Sequence, residues 1–167
     1  MEKMKKAPSH TFRVGVGVDM HPLVYGRRLI LGGVNIPFEK GLEGHSDGDC
    51  LTHSIVDALF GAAGLGDIGS HFGASRPKYK NAASRIFLEG AVEKIRKAGW
   101  QVHNVDATVM CEAPKLGSYF PKMKKGLAVM LKIPPSAVNL KATTAKSLGP
   151  VGASQAISAF VVVSLVR

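Results

Sequence analysis

The fold begins with the stretch Phe12-Arg13-Val14-Gly15-Val16-Gly17-Val18-Asp19, in which a valine occupies every second position from 14 to 18. Because side chains alternate between the two faces of a strand, this pattern predicts a β-strand over 12–19. Asp19 and His21 lie at its carboxyl end, and Pro22 is predicted to stop the strand pairing. The first strand therefore carries two potential metal-binding side chains.

Helices and strands alternate along the rest of the chain. A helix is predicted to begin near Ser46 or Asp47, since either can cap it, and apolar residues then repeat at helical spacing from Leu51 to Ala62. Glycines at 64–73 predict a connection. Further helices are predicted over 82–98 and 121–131, and further strands over 28–31, 102–110, 139–143 and 156–166. This order predicts one α/β or α+β domain.

The composition restricts the possible classes of function. The 167 residues fit a single domain, and 22 Lys+Arg against 12 Asp+Glu give a formal net charge of +10. This excess is compatible with nucleic acid, anionic lipid, a polyphosphate substrate, or simply a solvated basic surface. With only 7% aromatic residues, and none interleaved with a basic stretch, a single-stranded nucleic acid platform is disfavoured.

The cysteines and the apolar runs bear on the compartment. Cys50 and Cys111 do not form a disulfide framework, so a reduced, cytoplasmic protein is expected. Residues 1–11 are predicted to be a flexible basic leader, and they are not predicted to be a secretory signal because they lack its apolar region. The longest apolar run, Ala159–Val166, is too short to span a membrane as a helix. No membrane partner is therefore expected.

One carboxylate and two imidazoles, from Asp19, His21 and His53, form a candidate metal site. Asp19 and His21 are two apart on an extended segment, so both can lie on one face, and His53 comes from the neighbouring helix. Three such ligands leave the fourth position of a tetrahedral zinc open for chemistry. The alternative is a surface carboxylate with two ordinary histidines.

Two features around His53 support the metal site. Ser46-Asp47-Gly48-Asp49 precedes a helix, and such loops present backbone N–H groups to anions. Asp57 lies four residues after His53 on the same helix face, where it can orient the imidazole. The alternative for Asp57 is an acid on the helix surface.

Two further segments suit contact with phosphate. The run from Lys141 to Lys146 places Thr143 and Thr144 between basic residues after a strand, although paired threonines are also ordinary strand residues. The segment 113–116, Ala-Pro-Lys-Leu, is by itself an ordinary loop that contains one lysine.

Taken together, these segments resemble one enzyme family. The block at 45–63, HSDGDCLTHSIVDALFGAA, closely resembles the signature of the 2-C-methyl-D-erythritol 2,4-cyclodiphosphate synthase family. Shorter segments fall in the family's order, namely RVGVGVDMH at 13–21, LGGVNIP at 31–37, LGDIG at 65–69, APK at 113–115 and KATT at 141–144. The resemblance covers nearly the whole chain after the leader.

The resemblance implies a fold and an assembly. The domain over 12–167 is expected to be α+β, a ferredoxin-like β-α-β sandwich in which a sheet packs on helices. The family forms a homotrimer whose sheets face the threefold axis, and its active sites lie between subunits. The Lys115 and Thr144 region of one subunit is then expected to lie near the metal of its neighbour.

The resemblance also implies roles for individual residues. The zinc ligands are expected to be Asp19, His21 and His53, and the catalytic residues are expected to be His45, Thr144 and Lys146. The substrate-binding residues, some of which share these roles, are expected to be Asp19, His21, His45, Ser46, Asp67, Gly69, Ala113, Pro114, Lys115, Leu116, Thr143 and Thr144.

The reaction implied is the conversion of 4-diphosphocytidyl-2-C-methyl-D-erythritol 2-phosphate to 2-C-methyl-D-erythritol 2,4-cyclodiphosphate with release of CMP. This places the chain in non-mevalonate isoprenoid biosynthesis, as a phosphorus–oxygen lyase with a cytidine diphosphate-linked substrate. Two alternatives are a zinc phosphohydrolase, and an impaired member that acts as a nucleotide-binding zinc trimer. Nucleic acid is not an expected partner.

The chain departs from the family at three positions. Lys146 stands where the family places a glutamate that holds a second divalent ion, usually magnesium or manganese, so that second ion is doubtful here. A lysine at this position is a point charge that can neutralise the diphosphate directly. Ala74 replaces a carboxylate near the substrate, and Ala153 replaces an arginine of the trimer cavity, so weak or no binding of isoprenoid diphosphates is expected there.

Overall fold

The computed structural model describes residues 10–73 and 77–167 of the chain. Most of the predicted leader therefore lies outside the described residues, as does Ala74. Within the described part, no helix is both long enough and apolar enough to cross a membrane.

The described residues form a mixed sheet and a small hairpin. In chain order the strands are β1 (Phe12–Tyr25), β2 (Leu29–Leu31), β3 (Val34–Ile36), β4 (Lys40–Leu42), β5 (Gln101–Met110), β6 (Val138–Thr143) and β7 (Ala156–Val166). The main sheet has the order β4-β1-β7-β5-β6, in which β5 and β6 are parallel and the other neighbours antiparallel. Strands β2 and β3 pair with each other.

The helices pack on one face of the main sheet, which confirms the predicted α+β fold. They are α1 (Cys50–Ala63), α2 (Ile68–Phe72), α3 (Arg85–Lys97), α4 (Phe120–Leu131) and α5 (Gly149–Gly152). Short 3-10 turns lie at Pro77–Tyr79, Gly117–Tyr119 and Pro135–Ala137. The core between the layers contains fully buried side chains such as Phe60, Leu88 and Val161.

Helix α1 lies unusually close to strand β1 because two glycines face it. A Cβ atom built on Gly17 would lie 1.8 Å from the carbonyl oxygen of Ser54, and one on Gly15 would lie 2.1 Å from that of Ala58. Any side chain at these positions would force the helix away from the strand. The alternating valines therefore mark the opposite face of β1, where Val14 is 65% exposed and Val16 57%.

Three local predictions were wrong. Strand β1 does not end at Pro22 but continues to Tyr25, because Pro22 keeps a carbonyl that accepts a hydrogen bond from the Glu43 amide, 2.9 Å away. Helix α1 begins at Cys50, later than predicted, because the side chain of Asp49 caps it by accepting from the Thr52 amide. The connection over 64–73 contains α2.

Candidate metal centre and substrate cavity

Three potential metal ligands converge where strand β1 meets helix α1. Asp19 and His21 continue the face of β1 that carries the two glycines, and His53 reaches them from the beginning of α1. The Oδ2 atom of Asp19 lies 2.9 Å from Nε2 of His21 and 3.1 Å from Nδ1 of His53, and these nitrogens are 3.4 Å apart. The structure thus brings the three predicted ligands together within one chain.

The separations between these donor atoms fit a tetrahedral ion. Bonds of about 2.0 Å to a tetrahedral zinc place neighbouring donor atoms about 3.3 Å apart. The observed separations of 2.9, 3.1 and 3.4 Å are close to that value. A set of one carboxylate and two imidazoles also leaves a fourth position for an oxygen of a ligand.

The carboxylate and the imidazoles shift one another's pKa values. Burial raises the pKa of Asp19, but hydrogen bonds from His21 and His53 outweigh it and hold that pKa well below its usual range. The hydrogen bond to Asp19 raises the pKa of His21, against the opposing effect of burial. The centre therefore retains a negative carboxylate that attracts a cation.

A cavity of about 250 Å³ opens beside the three ligands. One wall is apolar and consists of Ile68, Phe72 and Phe87 with the ring of Tyr79, and the Tyr79 and Phe87 rings lie 5.1 Å apart. The other wall is polar and includes His45, Ser46, Asp57 and the three ligands. The cavity can hold an anionic group at the ligands and apolar atoms against the rings.

The loop that carries His45 and Ser46 is tied down from two sides. The guanidinium of Arg27 donates to the Ser46 carbonyl oxygen over 2.7 Å, and the amide of Asn81 donates to the His45 carbonyl oxygen over 2.9 Å. The side chain of Ser46 is buried, whereas His45 is exposed. Both residues line the cavity, and their contact with substrate stays a prediction.

Helix α2 places Gly69 at the cavity, while Asp67 caps the helix. The exposed carboxylate of Asp67 accepts from the Ser70 amide over 2.7 Å, and the hydrogen bonds from Ser70 lower the pKa of Asp67. The Asp57 carboxylate accepts from the Ile68 amide over 2.7 Å, so it holds α2 against α1. This structural role is neither of the two considered from the sequence, an orienting partner of His53 or an acid on the helix surface.

The segments 113–116 and 143–146, which are expected to bind the cytidine-linked substrate and are called here the cytidine segments, lie together, but away from this cavity. The Cys111 amide donates to the carbonyl oxygen of Thr143 over 2.9 Å, and the Ser147 amide donates to the Glu112 carboxylate over 3.1 Å. Lys115, Thr143, Thr144 and Lys146 are exposed, Ala113 and Pro114 half-buried, and Leu116 buried in the core.

The sheet fixes the distance between the two groups of residues. The register aligns Met20, Ser158, Met110 and Thr143 across strands β1, β7, β5 and β6. Three steps between neighbouring strands amount to about 14 Å. Within one chain, the cytidine segments therefore stand at the same end of the sheet as the metal ligands, but not around the same cavity.

Comparison with known proteins identifies the family. The family model described as the YgbB family matches residues 12–166. This chain belongs to the YgbB family. Among its relatives, the 2-C-methyl-D-erythritol 2,4-cyclodiphosphate synthase of Neisseria gonorrhoeae is 52% identical over 155 residues, which cover 93% of this chain and 97% of the relative.

Solved structures of YgbB-like proteins have the same fold. The bifunctional IspDF from Campylobacter jejuni superposes with a TM-score of 0.92 at 39% identity; the match covers 96% of this chain but 43% of that longer protein. The IspF of Plasmodium falciparum, solved as a CDP complex, gives a TM-score of 0.83 at 35% identity, covering 93% of this chain and 96% of that one.

One residue at this site was not predicted from the sequence. Ser84, at the N-cap position of α3, is 1% exposed and places its hydroxyl oxygen 2.8 Å from Nε2 of His53. The same hydroxyl group hydrogen-bonds to Asp47. A serine before a helix usually signals a cap, so the sequence alone offered no reason to associate Ser84 with His53.

Proposed function

We propose that this chain converts 4-diphosphocytidyl-2-C-methyl-D-erythritol 2-phosphate to 2-C-methyl-D-erythritol 2,4-cyclodiphosphate and releases CMP. The observation that carries this proposal is the convergence of Asp19, His21 and His53 beside a cavity, in a chain about half identical to named synthases. The cytoplasmic location expected from the sequence stays a prediction.

The reaction needs orientation more than covalent help. An oxygen of the 2-phosphate forms a bond to the β-phosphorus, and the bond from that phosphorus to the bridging oxygen breaks, so CMP leaves with the electron pair. The attacking oxygen is already anionic, so no general base is needed. The protein has to hold two mutually repelling phosphates in line.

The metal centre is the proposed anchor for the diphosphate. We assign zinc to it, because one carboxylate oxygen and two imidazole nitrogens with these separations suit a tetrahedral ion. Bound there, zinc would act as a Lewis acid that polarises a phosphate oxygen. The side chains of His45 and Ser46 are proposed to hold the 2-phosphate, and the aromatic wall to keep water from the phosphorus.

Lys146 is proposed to neutralise the diphosphate in place of a second divalent ion. Its side chain is exposed beside Thr144, in a loop where Lys146 and Ser147 both have positive φ angles. A lysine ammonium supplies one compact positive charge without the geometry that magnesium requires. Turnover with zinc present and magnesium removed tests this; strict dependence on magnesium or manganese would overturn it.

The assembly is proposed to be a homotrimer with the sheets around the threefold axis. The face of β1 opposite the helices carries exposed apolar side chains, of which Val14 is 65%, Val16 57% and Val18 50% exposed. An apolar surface of this kind favours burial against another copy. A neighbouring copy would also bring its Lys115 and Thr144 region to the metal centre of the first, which completes the cytidine site.

Following CMP release from the cytidylylated substrate, with zinc and with or without magnesium, tests the proposed reaction. The expected products are CMP and the cyclic diphosphate in equal amounts. Inorganic phosphate instead of a cyclic product would favour the phosphohydrolase, and CDP binding without turnover would favour the impaired nucleotide binder.

A calorimetric titration with geranyl diphosphate tests the expected weak or absent binding of isoprenoid diphosphates at Ala153. Tight binding would overturn this expectation.

A further inference from the structure

We propose that Ser84 is a positioning residue that fixes the tautomer of His53, so that Nδ1 of this imidazole is the nitrogen offered to a metal ion. Asp47 directs the Ser84 hydroxyl in this arrangement. The inference deepens the proposed function, because it rests on the metal centre, but it does not depend on which reaction the enzyme catalyses.

The orientation of the protons follows from the chemistry of each partner. An ionised carboxylate only accepts hydrogen bonds, so the Ser84 hydroxyl has to donate to Asp47. The Ser84 oxygen is then left as an acceptor, 2.8 Å from Nε2 of His53. Without a metal ion, Nδ1 of His53 hydrogen-bonds to Asp19 over 3.1 Å; a metal ion takes the place of that proton, and the one N–H of the ring is then on Nε2, which faces the Ser84 oxygen.

Asp47 is itself held in place for this role. Its Oδ2 atom accepts from the backbone amide of Ser84 over 2.9 Å, and its Oδ1 atom accepts from the Asp49 amide over 3.2 Å. Ser84 makes no side-chain capping bond to α3, although it occupies the N-cap position. Its hydroxyl is thus used for His53 rather than for the helix end.

The Ser46 hydroxyl also lies near Nε2 of His53, so the two serines can be compared as acceptors for this nitrogen. Its hydroxyl oxygen lies 3.1 Å from Nε2 of His53, against 2.8 Å for Ser84. A single N–H makes one strong bond, and the Ser84 oxygen is both closer and committed as an acceptor. The Ser46 hydroxyl therefore stays available to a substrate phosphate, and Ser84 alone fixes the ring.

His21 shows the complementary arrangement and serves as an internal control. Its Nδ1 atom lies 2.5 Å from the carbonyl oxygen of Glu43, which can only accept, so a proton stays on Nδ1 and Nε2 is the nitrogen offered to a metal ion. The two imidazoles of the centre should therefore be opposite tautomers. Hydrogen-bond partners of metal-bound histidines typically contribute about 10–100-fold in metal affinity.

The experiment measures zinc affinity, by competition with a chromophoric chelator, in wild type, Ser84→Ala, Ser84→Thr and Ser46→Ala. Ser84→Ala should weaken zinc binding by about 10–100-fold, and Ser84→Thr, which keeps a hydroxyl, should restore most of it. Ser46→Ala should bind zinc as wild type does. Ser54→Ala is the control for the loss of a buried hydroxyl. Ser54 is buried and donates to the Cys50 carbonyl oxygen over 2.8 Å.

Nitrogen-15 NMR of the histidine rings in the zinc-loaded protein supplies a readout that a purely structural role would not move. With zinc bound, wild type should show an Nε2–H proton for His53 that exchanges slowly with solvent because Ser84 accepts it, and an Nδ1–H proton for His21. Ser84→Ala should speed the exchange of the His53 Nε2 proton with solvent and leave the His21 signal unchanged.

Three outcomes would overturn the proposal: an Nδ1–H signal from His53 in the zinc-loaded wild type, unchanged zinc affinity in Ser84→Ala, or an equal loss in Ser46→Ala. If Ser84→Ala does not fold, the wild-type spectrum and Ser84→Thr still decide. None of these measurements requires turnover, so an absence of CMP release would refute the proposed reaction without touching this inference.

Discussion

The two ends of the proposed active site are built differently. At the metal centre, Asp19, His21 and His53 come from packed elements of one chain and hydrogen-bond to one another. At the threonine loop, defined here as residues 143–148, the Thr143, Thr144 and Lys146 side chains are exposed. The metal centre is organised before anything binds, whereas the threonine loop of a single chain is open to solvent.

This difference shows which part of the proposed active site one chain forms by itself and which part depends on the proposed trimer. A metal ion requires donors fixed to within tenths of an ångström, which close packing of α1 on β1 provides. A nucleotide is large, and about 14 Å separate β1 from β6 in the sheet. We therefore expect changes at the metal centre to remove metal binding and activity together, and changes on the open sheet face to remove activity alone.

The largest effect is expected from His53→Ala, which removes one of three ligands. CMP release should fall by about 1000-fold, since a Lewis acid at a phosphoryl group is worth several kcal/mol. Zinc affinity should fall in parallel, as measured by chelator competition. His10→Ala, at an exposed histidine beside Phe12, is the control and should change neither quantity. Loss of CMP release with intact zinc binding would contradict the assigned ligand set.

The next effect is expected from Val16→Asp on the open face of β1, where Val16 is 57% exposed. A charge at this position should prevent association of the sheets, because burying an unpaired carboxylate is costly. CMP release should be largely lost, while zinc affinity per chain is kept. Light scattering measures the assembly.

The matched control for the open face is Val129→Asp in helix α4. Val129 is a valine that is 75% exposed, but it belongs to the helical layer. This variant should keep both the assembly and the release of CMP. A monomeric wild type that turns over substrate normally would show that the threonine loop needs no neighbour.

The comparison of the two ends also explains which parts the sequence could predict. Strand β1 and helix α1 have clear periodic patterns, and both were predicted. The face of β1 that meets the helix was not evident, because Gly15 and Gly17 have no side chains to mark it. Pro22 was expected to end the strand because proline has no amide donor. Its carbonyl oxygen nevertheless accepts a hydrogen bond from the Glu43 amide, and the strand continues.

At the candidate metal centre, the three converging side chains could be predicted from the sequence, but the residues that hydrogen-bond to them could not. Asp19, His21 and His53 combine ligand chemistry with short spacing, and a family signature surrounds His53. Ser84 lies 31 residues after His53 and is brought to it only when α3 packs beside α1. Asp57 has the right spacing on the same helix, yet its carboxylate bonds to the Ile68 amide.

A smaller effect, on stability, is expected from Gly17→Ala, which tests the close packing that organises the metal centre. The added Cβ would lie 1.8 Å from the Ser54 carbonyl oxygen, so α1 must shift. Overpacking of this kind costs about 1–3 kcal/mol in the free energy of unfolding, and zinc affinity should fall because His53 moves with the helix. Urea unfolding and chelator competition measure the two quantities.

Gly126→Ala is the matched control for this glycine. Gly126 lies within α4 and has nothing within 4 Å of a built Cβ, so alanine should raise the stability by about 1 kcal/mol. If Gly17→Ala were as harmless as Gly126→Ala, the contact between β1 and α1 would not organise the centre.

The smallest effect concerns the two cysteines, one at each end of the site. Cys50, at the start of α1, is fully buried, and Cys111, beside the threonine loop, is 6% exposed. Burial raises the pKa of both thiols, that of Cys111 from 9.0 to about 11, so each reacts slowly with a thiol reagent at pH 8. Because the folded state resists ionisation of Cys111, the free energy of unfolding should decline as the pH rises from about 9 to about 11.

Cys111 should react with the thiol reagent before Cys50, since the threonine loop can open locally without unfolding α1. Timed alkylation with mass spectrometry measures which cysteine is labelled first. Faster labelling of Cys50 would contradict the proposal that the metal centre is better organised than the threonine loop.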